Sequence, residues 1–275
     1  MGKSPDRLTS LQNPRLKYIR RLAVKGFGEK EGKFLAEGSL LVEEALLSRW
    51  PLELLVYTGE WRESPSGRKI LELARKAAVP GLEVAGEIFA KLAATQTPQG
   101  VLAVARRQEE DFSALIKKKP ALLVLVDGVQ DPGNLGTIIR SADAAAADGV
   151  LLTKGTVDLY NPKTVRGTMG SLFHLPVLTV AQARAALKEM AGAGLQLVAG
   201  DPSAETLLFA CDFTRPTVLA VGNEARGCSP EILRLADRVV RIPMPGRAGS
   251  LNVAAAAAVM LYEVVRQRFF FPHRP

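Results

Sequence analysis

Asn134, Gly136 and Arg140 stand at the spacing Asn-x-Gly-x-x-x-Arg, just past the apolar run 121–126 and a turn through Pro132 and Gly133. Four residues apart on a helix, a glycine and an arginine share a face, and the glycine has no side chain to block a ligand approaching the guanidinium. In general a guanidinium offers parallel N–H donors that suit a phosphate or an oxyanion. Its pKa, above about 12, makes it a poor base. Asn134 has two readings: a polar group ordering a reaction centre, or a helix N-cap that needs no ligand. Arg140 also has a bland reading, a surface ion pair with Asp143, which would contribute little to stability.

Two further segments share this character. Val221, Gly222, Asn223 and Glu224 interrupt an apolar strand, with Ala225, Arg226 and Gly227 completing a tight turn. Glu224 is either a pocket group, a dimer or helix-start contact, or a solvated loop acid. Ile242, Pro243, Met244, Pro245 and Gly246 combine fixed backbone with close approach, a loop able to hold a flat base against main-chain groups. Ser250, Leu251 and Asn252 then open a helix, where Ser250 is a candidate cap and Asn252 a second one.

The elements that must position these groups change in character along the chain. Residues 1–30 carry eight Lys or Arg against two acids, with Leu8, Leu11, Leu16, Ile19 and Leu22 near helical spacing. They read as a basic arm containing an amphipathic helix, in which Arg15, Lys17, Arg20 and Arg21 face outward toward RNA or simply toward solvent. Residues 31–107 alternate helices over 37–48 and 66–78 with strands over 52–57 and 101–105, a small α/β domain, and 108–120 read as a linker. From 121 to 275 the grammar is that of buried strands, at 121–126, 149–152, 195–199, 217–221 and 238–242, separated by helices. This predicts a largely parallel sheet covered on both faces, whose ligands collect beyond the carboxyl ends of the strands. All three segments lie at such ends or in the helix start that follows.

Composition narrows the possibilities. The 275 residues carry a net charge of +8 and are 47% hydrophobic, which favours two domains and a polyanionic partner. The two cysteines and two histidines cannot supply a disulfide framework, a zinc site or a Ser-His-Asp arrangement by themselves. No metal is expected. The apolar stretch 253–262 is too short to span a bilayer and reads as a buried helix, and the first residues lack a secretory apolar core. A cytoplasmic protein with reduced thiols and no membrane partner is expected. No Gly-x-Gly-x-x-Gly or phosphate-loop fingerprint appears, which argues against a dinucleotide oxidoreductase.

Taken in order, the three segments resemble the signature motifs of the SpoU/TrmH family of RNA 2′-O-ribose methyltransferases in the SPOUT superfamily. The first matches at Asn134, Gly136 and Arg140. The second matches Gly-Asn-Glu-x-x-Gly, with Ala225 where many members carry glycine, and the third ends in the family's Ser-Leu-Asn-Val. The resemblance implies an α/β fold: a C-terminal parallel-sheet domain with a deep trefoil knot, preceded by a small α/β substrate-binding domain related to a ribosomal protein. It implies S-adenosylmethionine as cofactor, held by Val221, Gly222, Asn223, Glu224, Ile242, Met244 and Leu251. Asn134, Arg140, Ser250 and Asn252 are the implied catalytic groups, and a homodimer the implied assembly. Ribosomal RNA is expected over transfer RNA, because the N-terminal domain is like that of rRNA-modifying members. An RNA-binding scaffold without catalysis is the alternative, opposed by the intact Asn134, Arg140, Ser250 and Asn252.

Overall fold

A computed structural model describes residues 10, 12–24, 26–119 and 121–270. Its chain divides into two compact units. The first comprises the chain up to Gln108 together with Tyr160–Phe173, and the second comprises Glu109–Leu159 and the chain from His174 onward.

In the first unit, α1 (Pro14–Leu22) begins at Asn13, whose side chain accepts from Arg15 N, with proline in the first turn. A short α2 (Phe27–Lys30) leads to β1 (Lys33–Glu37), α3 (Ser39–Leu47), β2 (Leu52–Thr58), α4 (Gly59–Glu63), α5 (Pro65–Lys76), β3 (Gly81–Val84), α6 (Gly86–Leu92) and β4 (Val101–Arg106). The strands form a sheet ordered β1-β4-β2-β3, in which only β2 and β3 run parallel. The helix expected over 37–48 starts later, because 33–37 pairs with β4 and Gly38, at φ 107°, turns the chain into α3. Strand β3 and helix α6 were not expected.

The first 30 residues are not a separate arm where they are described. Leu16, Ile19 and Leu22 are buried in one cluster with Leu35, Val56, Leu102 and Val104 of the sheet. The expected outward face is present, with Arg15, Lys17, Arg20 and Arg21 exposed. Leu8 and Leu11 lie outside the described residues.

The second unit opens with α7 (Phe112–Lys117), inside the stretch expected to be a linker. Leu115 is buried there against Leu123, Leu151 and Leu187, so part of 108–120 belongs to the core. Next come β5 (Leu122–Asp127), α8 (Pro132–Ala144) and β6 (Gly149–Thr153). The chain then lends α9 (Pro162–Gly167) to the first unit, which departs from the expected single domain over 121–275. Aromatic packing explains the loan: Phe34 lies 4.6 Å from Tyr160 and 6.5 Å from Phe173, and Trp50 lies 5.2 Å from Phe173, centroid to centroid. The unit continues with β7 (Val177–Val180), α10 (Ala183–Gly192), β8 (Gln196–Gly200), β9 (Thr206–Leu207), β10 (Thr217–Gly222), α11 (Pro230–Leu235), β11 (Arg238–Arg241) and α12 (Val253–Val265).

Its seven strands are ordered β7-β6-β5-β10-β8-β11-β9, and every neighbouring pair is parallel. Strand β5 is apolar and buried along its length until Asp127, as a strand covered on both faces must be. The five expected strands are present, and β7 and the two-residue β9 were not expected. Helix α8 buries Leu135, Ile138, Ile139 and Ala142, as its spacing predicts. Helix α12 departs from the fully buried expectation: Ala254, Ala257, Met260 and Leu261 are covered, while Val259 and Tyr262 are 37% and 54% exposed.

Candidate functional site

Chain order and sheet order diverge at the centre of the second unit. Strands β5, β6 and β7 step toward one edge, β8 starts the other half, and β10 then fills the place between β5 and β8. At such a reversal the loops leaving neighbouring strands separate and leave a crevice at the carboxyl edge. A cavity of about 400 Å³ lies there, lined by the ends of β8, β10 and β11, the loop after β11 and the start of α12. That volume suits a cofactor-sized molecule.

All seven expected cofactor residues, Val221, Gly222, Asn223, Glu224, Ile242, Met244 and Leu251, line this cavity, together with Ser250 and Asn252. Val221, Val240, Ile242, Met244 and Met260 make much of it apolar. Gly222 is required by space: a Cβ there would meet Cys228 N and the Gly227 carbonyl carbon at 2.0 Å. The hairpin so tightened is closed by Asn223, whose Oδ1 accepts from Ala225 N and Arg226 N and whose Nδ2 donates to Gly128 O at 2.9 Å. Asp127, at the end of β5, accepts from Thr153 Oγ1 at 2.8 Å and from Ser229 N at 2.7 Å, tying β6 and the returning loop to the same strand end.

A polar chain joins all three segments. Glu224 accepts from Gln130 N, Asp131 N and Asn134 Nδ2 at 3.1, 3.0 and 2.9 Å, and Asn134 Oδ1 accepts from Asn252 Nδ2 at 2.9 Å. Asn134 is therefore not the cap of α8. Asp131 is, accepting from Asn134 N, and this frees the Asn134 side chain for the network. Ser250 is likewise not the cap of α12; Asn252 Oδ1 accepts from Ala254 N and Ala255 N. Partial burial pushes the Glu224 carboxyl up, but the hydrogen bonds from Asn134, Asp131 and Gln130 outweigh it and hold the group below the ordinary glutamate value.

The depressed value carries a sign. Stability from Glu224 is present above the unfolded-state value, near 4.3, and is lost as pH falls through the lower folded-state value. Denaturant titrations of the wild type and Glu224→Gln should differ by about 1 kcal/mol at neutral pH, less than a buried charged hydrogen bond contributes because the carboxylate reaches solvent, and should converge in acid. A gap independent of pH would contradict this.

Arg140 is not among the cavity's lining residues. It is exposed on α8, and the bland alternative, an ion pair with Asp143, is not present among the described residues; Asp143 Oδ2 lies 3.6 Å from His174 Nδ1. Arg15, Lys17, Arg20 and Arg21 belong to the first unit, where the Arg21 guanidinium lies 4.1 Å from the Phe27 ring centroid. Gly200, the last residue of β8, and Asp201 and Pro202 just after it line the cavity but were not expected; the rule that ligands gather at strand ends could have found them. Among the described residues no group of three or more His, Cys, Asp or Glu is placed to hold a metal ion.

A parallel α/β unit with a pocket at the carboxyl edge, where a late strand enters the middle of the sheet, defines the class as a ligand-binding α/β protein. Residues 121–262 match the SpoU rRNA Methylase family, and residues 13–103 match the MRM3-like substrate binding domain. The chain is 36% identical to a 23S rRNA (uridine(2479)-2′-O)-methyltransferase of Streptomyces viridochromogenes, over 87% of this chain and 84% of that protein. It is 35% identical to a 23S rRNA (guanosine(2553)-2′-O)-methyltransferase of Bacillus subtilis, over 94% and 98%. The crystal structure of an AdoMet-bound rRNA methyltransferase from Sinorhizobium meliloti superposes with a TM-score of 0.85 at 35% identity, covering 96% of this chain and 98% of that one. The chain belongs to the SpoU rRNA methylase family, and it is a methyltransferase enzyme.

Proposed function

We propose that the protein transfers the methyl group of S-adenosylmethionine to a ribose 2′-hydroxyl of ribosomal RNA. The observation that carries the reading is the hydrogen-bonded chain Glu224–Asn134–Asn252, whose two end residues line a cofactor-sized, partly apolar cavity. The residues fit the cofactor: Val221, Ile242, Met244 and Leu251 offer apolar and main-chain contacts, and Gly222 to Glu224 form one wall. S-adenosylmethionine supplies an activated methyl group on a sulfonium.

The protein's task is alignment, which can supply up to about 7–11 kcal/mol, against about 10²–10⁴-fold for a general base. Glu224 fixes Asn134, and Asn134 fixes Asn252. With Ser250 these groups order the reaction centre. Arg140, exposed beyond the network, clamps the RNA phosphate and stabilises the oxyanion forming at the 2′-oxygen. Arg15, Lys17, Arg20 and Arg21 contribute phosphate contacts from the first unit. The expected trefoil knot is part of this reading, supported by the match of residues 121–262 to the SpoU family. Absence of the methyl mark from the 23S rRNA of a deletion strain, and its return on complementation, is the expected result of mapping 2′-O-methylation. An unchanged map would refute the assignment.

A homodimer is supported by the exposed apolar face of α12, with Val259 and Tyr262 one turn apart and Leu251 just before the helix, 38% exposed. Val259→Asp combined with Tyr262→Asp should halve the mass measured by light scattering, and a wild-type monomer would overturn the assignment. Among the described residues no helix is long and apolar enough to cross a membrane. A cytoplasmic location fits the buried free thiols of Cys211 and Cys228.

A further inference from the structure

The cavity's own hydrogen bonds leave few of its polar side chains free to meet a ligand. Asn223 spends its oxygen on Ala225 N and Arg226 N and its amide on Gly128 O. Glu224 takes Gln130 N, Asp131 N and Asn134 Nδ2, and Asn252 caps α12 while donating to Asn134. These side chains build the wall. Asp201 differs. Its Oδ1 accepts from Ser203 N at 2.7 Å and Ser203 Oγ at 2.6 Å, and among the described residues its Oδ2 accepts no hydrogen bond.

Position gives that free oxygen a meaning. Asp201 directly follows β8, and β8 lies between β10 and β11, which contribute the apolar Val221 and Val240 to the same lining. Flat apolar surface of this kind suits a nucleobase. The donors next to a base in an adenosyl compound are the two hydroxyls of its ribose, whereas the ammonium lies beyond the sulfur. A carboxylate after a strand end in a parallel α/β site is well matched to a ribose hydroxyl. Resting on the S-adenosylmethionine reading above, we propose that Asp201 is the residue that recognises the ribose hydroxyls of the bound cofactor.

Calorimetric titration of the full chain tests this with two ligands, S-adenosylhomocysteine and its 2′,3′-dideoxyribose analogue. The wild type should prefer the natural ligand by about tenfold or more, in line with hydrogen bonds to a charged group. Asp201→Asn should weaken S-adenosylhomocysteine by a similar factor and barely change the dideoxy analogue. Ser203→Ala, which leaves Oδ2 untouched, should keep the wild-type preference and serves if the Asp201 variant does not fold. An equal penalty on both ligands, or none on either, overturns the role of Asp201. So does a wild type indifferent to the hydroxyls. A wild type that binds no S-adenosylhomocysteine at all would instead sink the cofactor reading itself.

Discussion

Arg140→Lys leaves S-adenosylmethionine affinity at the wild-type level while turnover falls by about 100-fold or more. Two observations separate the effects. Arg140 is not among the residues lining the cavity, so its loss removes no cofactor contact. It is also exposed, without the Asp143 partner its spacing offered, and its planar fork is available to an incoming anion. Lysine keeps the charge but not the two parallel donors, and losing one donor to a developing oxyanion typically costs about 10²–10³ in rate. Calorimetry with the cofactor and methyl incorporation into a 23S rRNA transcript measure the two quantities. Turnover unchanged by the substitution would remove Arg140 from the mechanism.

Gly222→Ala should be the most damaging single methyl in the second unit. The added carbon would sit 2.0 Å from Cys228 N and 2.2 Å from Gly227 O, both backbone atoms of the opposing arm of the hairpin. No rotamer relieves a clash between a Cβ and main chain, and β10 is held on both sides by β5 and β8. The expected loss is at least about 3 kcal/mol of stability, with cofactor affinity reduced about 100-fold or more in whatever remains folded. Gly227→Ala is the internal comparison. That glycine has open space around its Cβ position and only a left-handed φ of 69° to defend, so about 1–2 kcal/mol is expected. Denaturant unfolding of the pair checks the ranking, and equal losses would mean that the close approach is not what Gly222 serves.

The sequence made the pocket easier to read than the units that frame it. Gly222, Pro243 and Pro245 act through local backbone limits, and local limits are written in residue types. The buried strands of the second unit were legible for the same reason, since β5 and β10 are continuous apolar runs. Capping was not. Asn134 and Ser250 are as good a pair of caps as Asp131 and Asn252 by residue type, and only the path of the chain decides which side chains are left for the site. Strands β1 and β3 were missed because Lys33–Glu37 and Gly81–Val84 are short, carry charged residues and owe their pairing to distant partners. The free oxygen of Asp201 was invisible for a related reason: it follows from the folded loop, in which Ser203 N and Oγ both donate to the other oxygen.

Tyr160–Phe173 gives the two-unit arrangement an engineering consequence. Because the second unit's chain departs after Leu159 and comes back at His174, the protein cannot be separated into halves by a single cut near residue 108. A fragment starting at Glu109 would carry Tyr160 and Phe173 away from Phe34 and Trp50, leaving greasy rings unsheltered on one piece and a gap in the other. Domain grafts between relatives must therefore exchange this insert together with the N-terminal part, or accept a poorly soluble product.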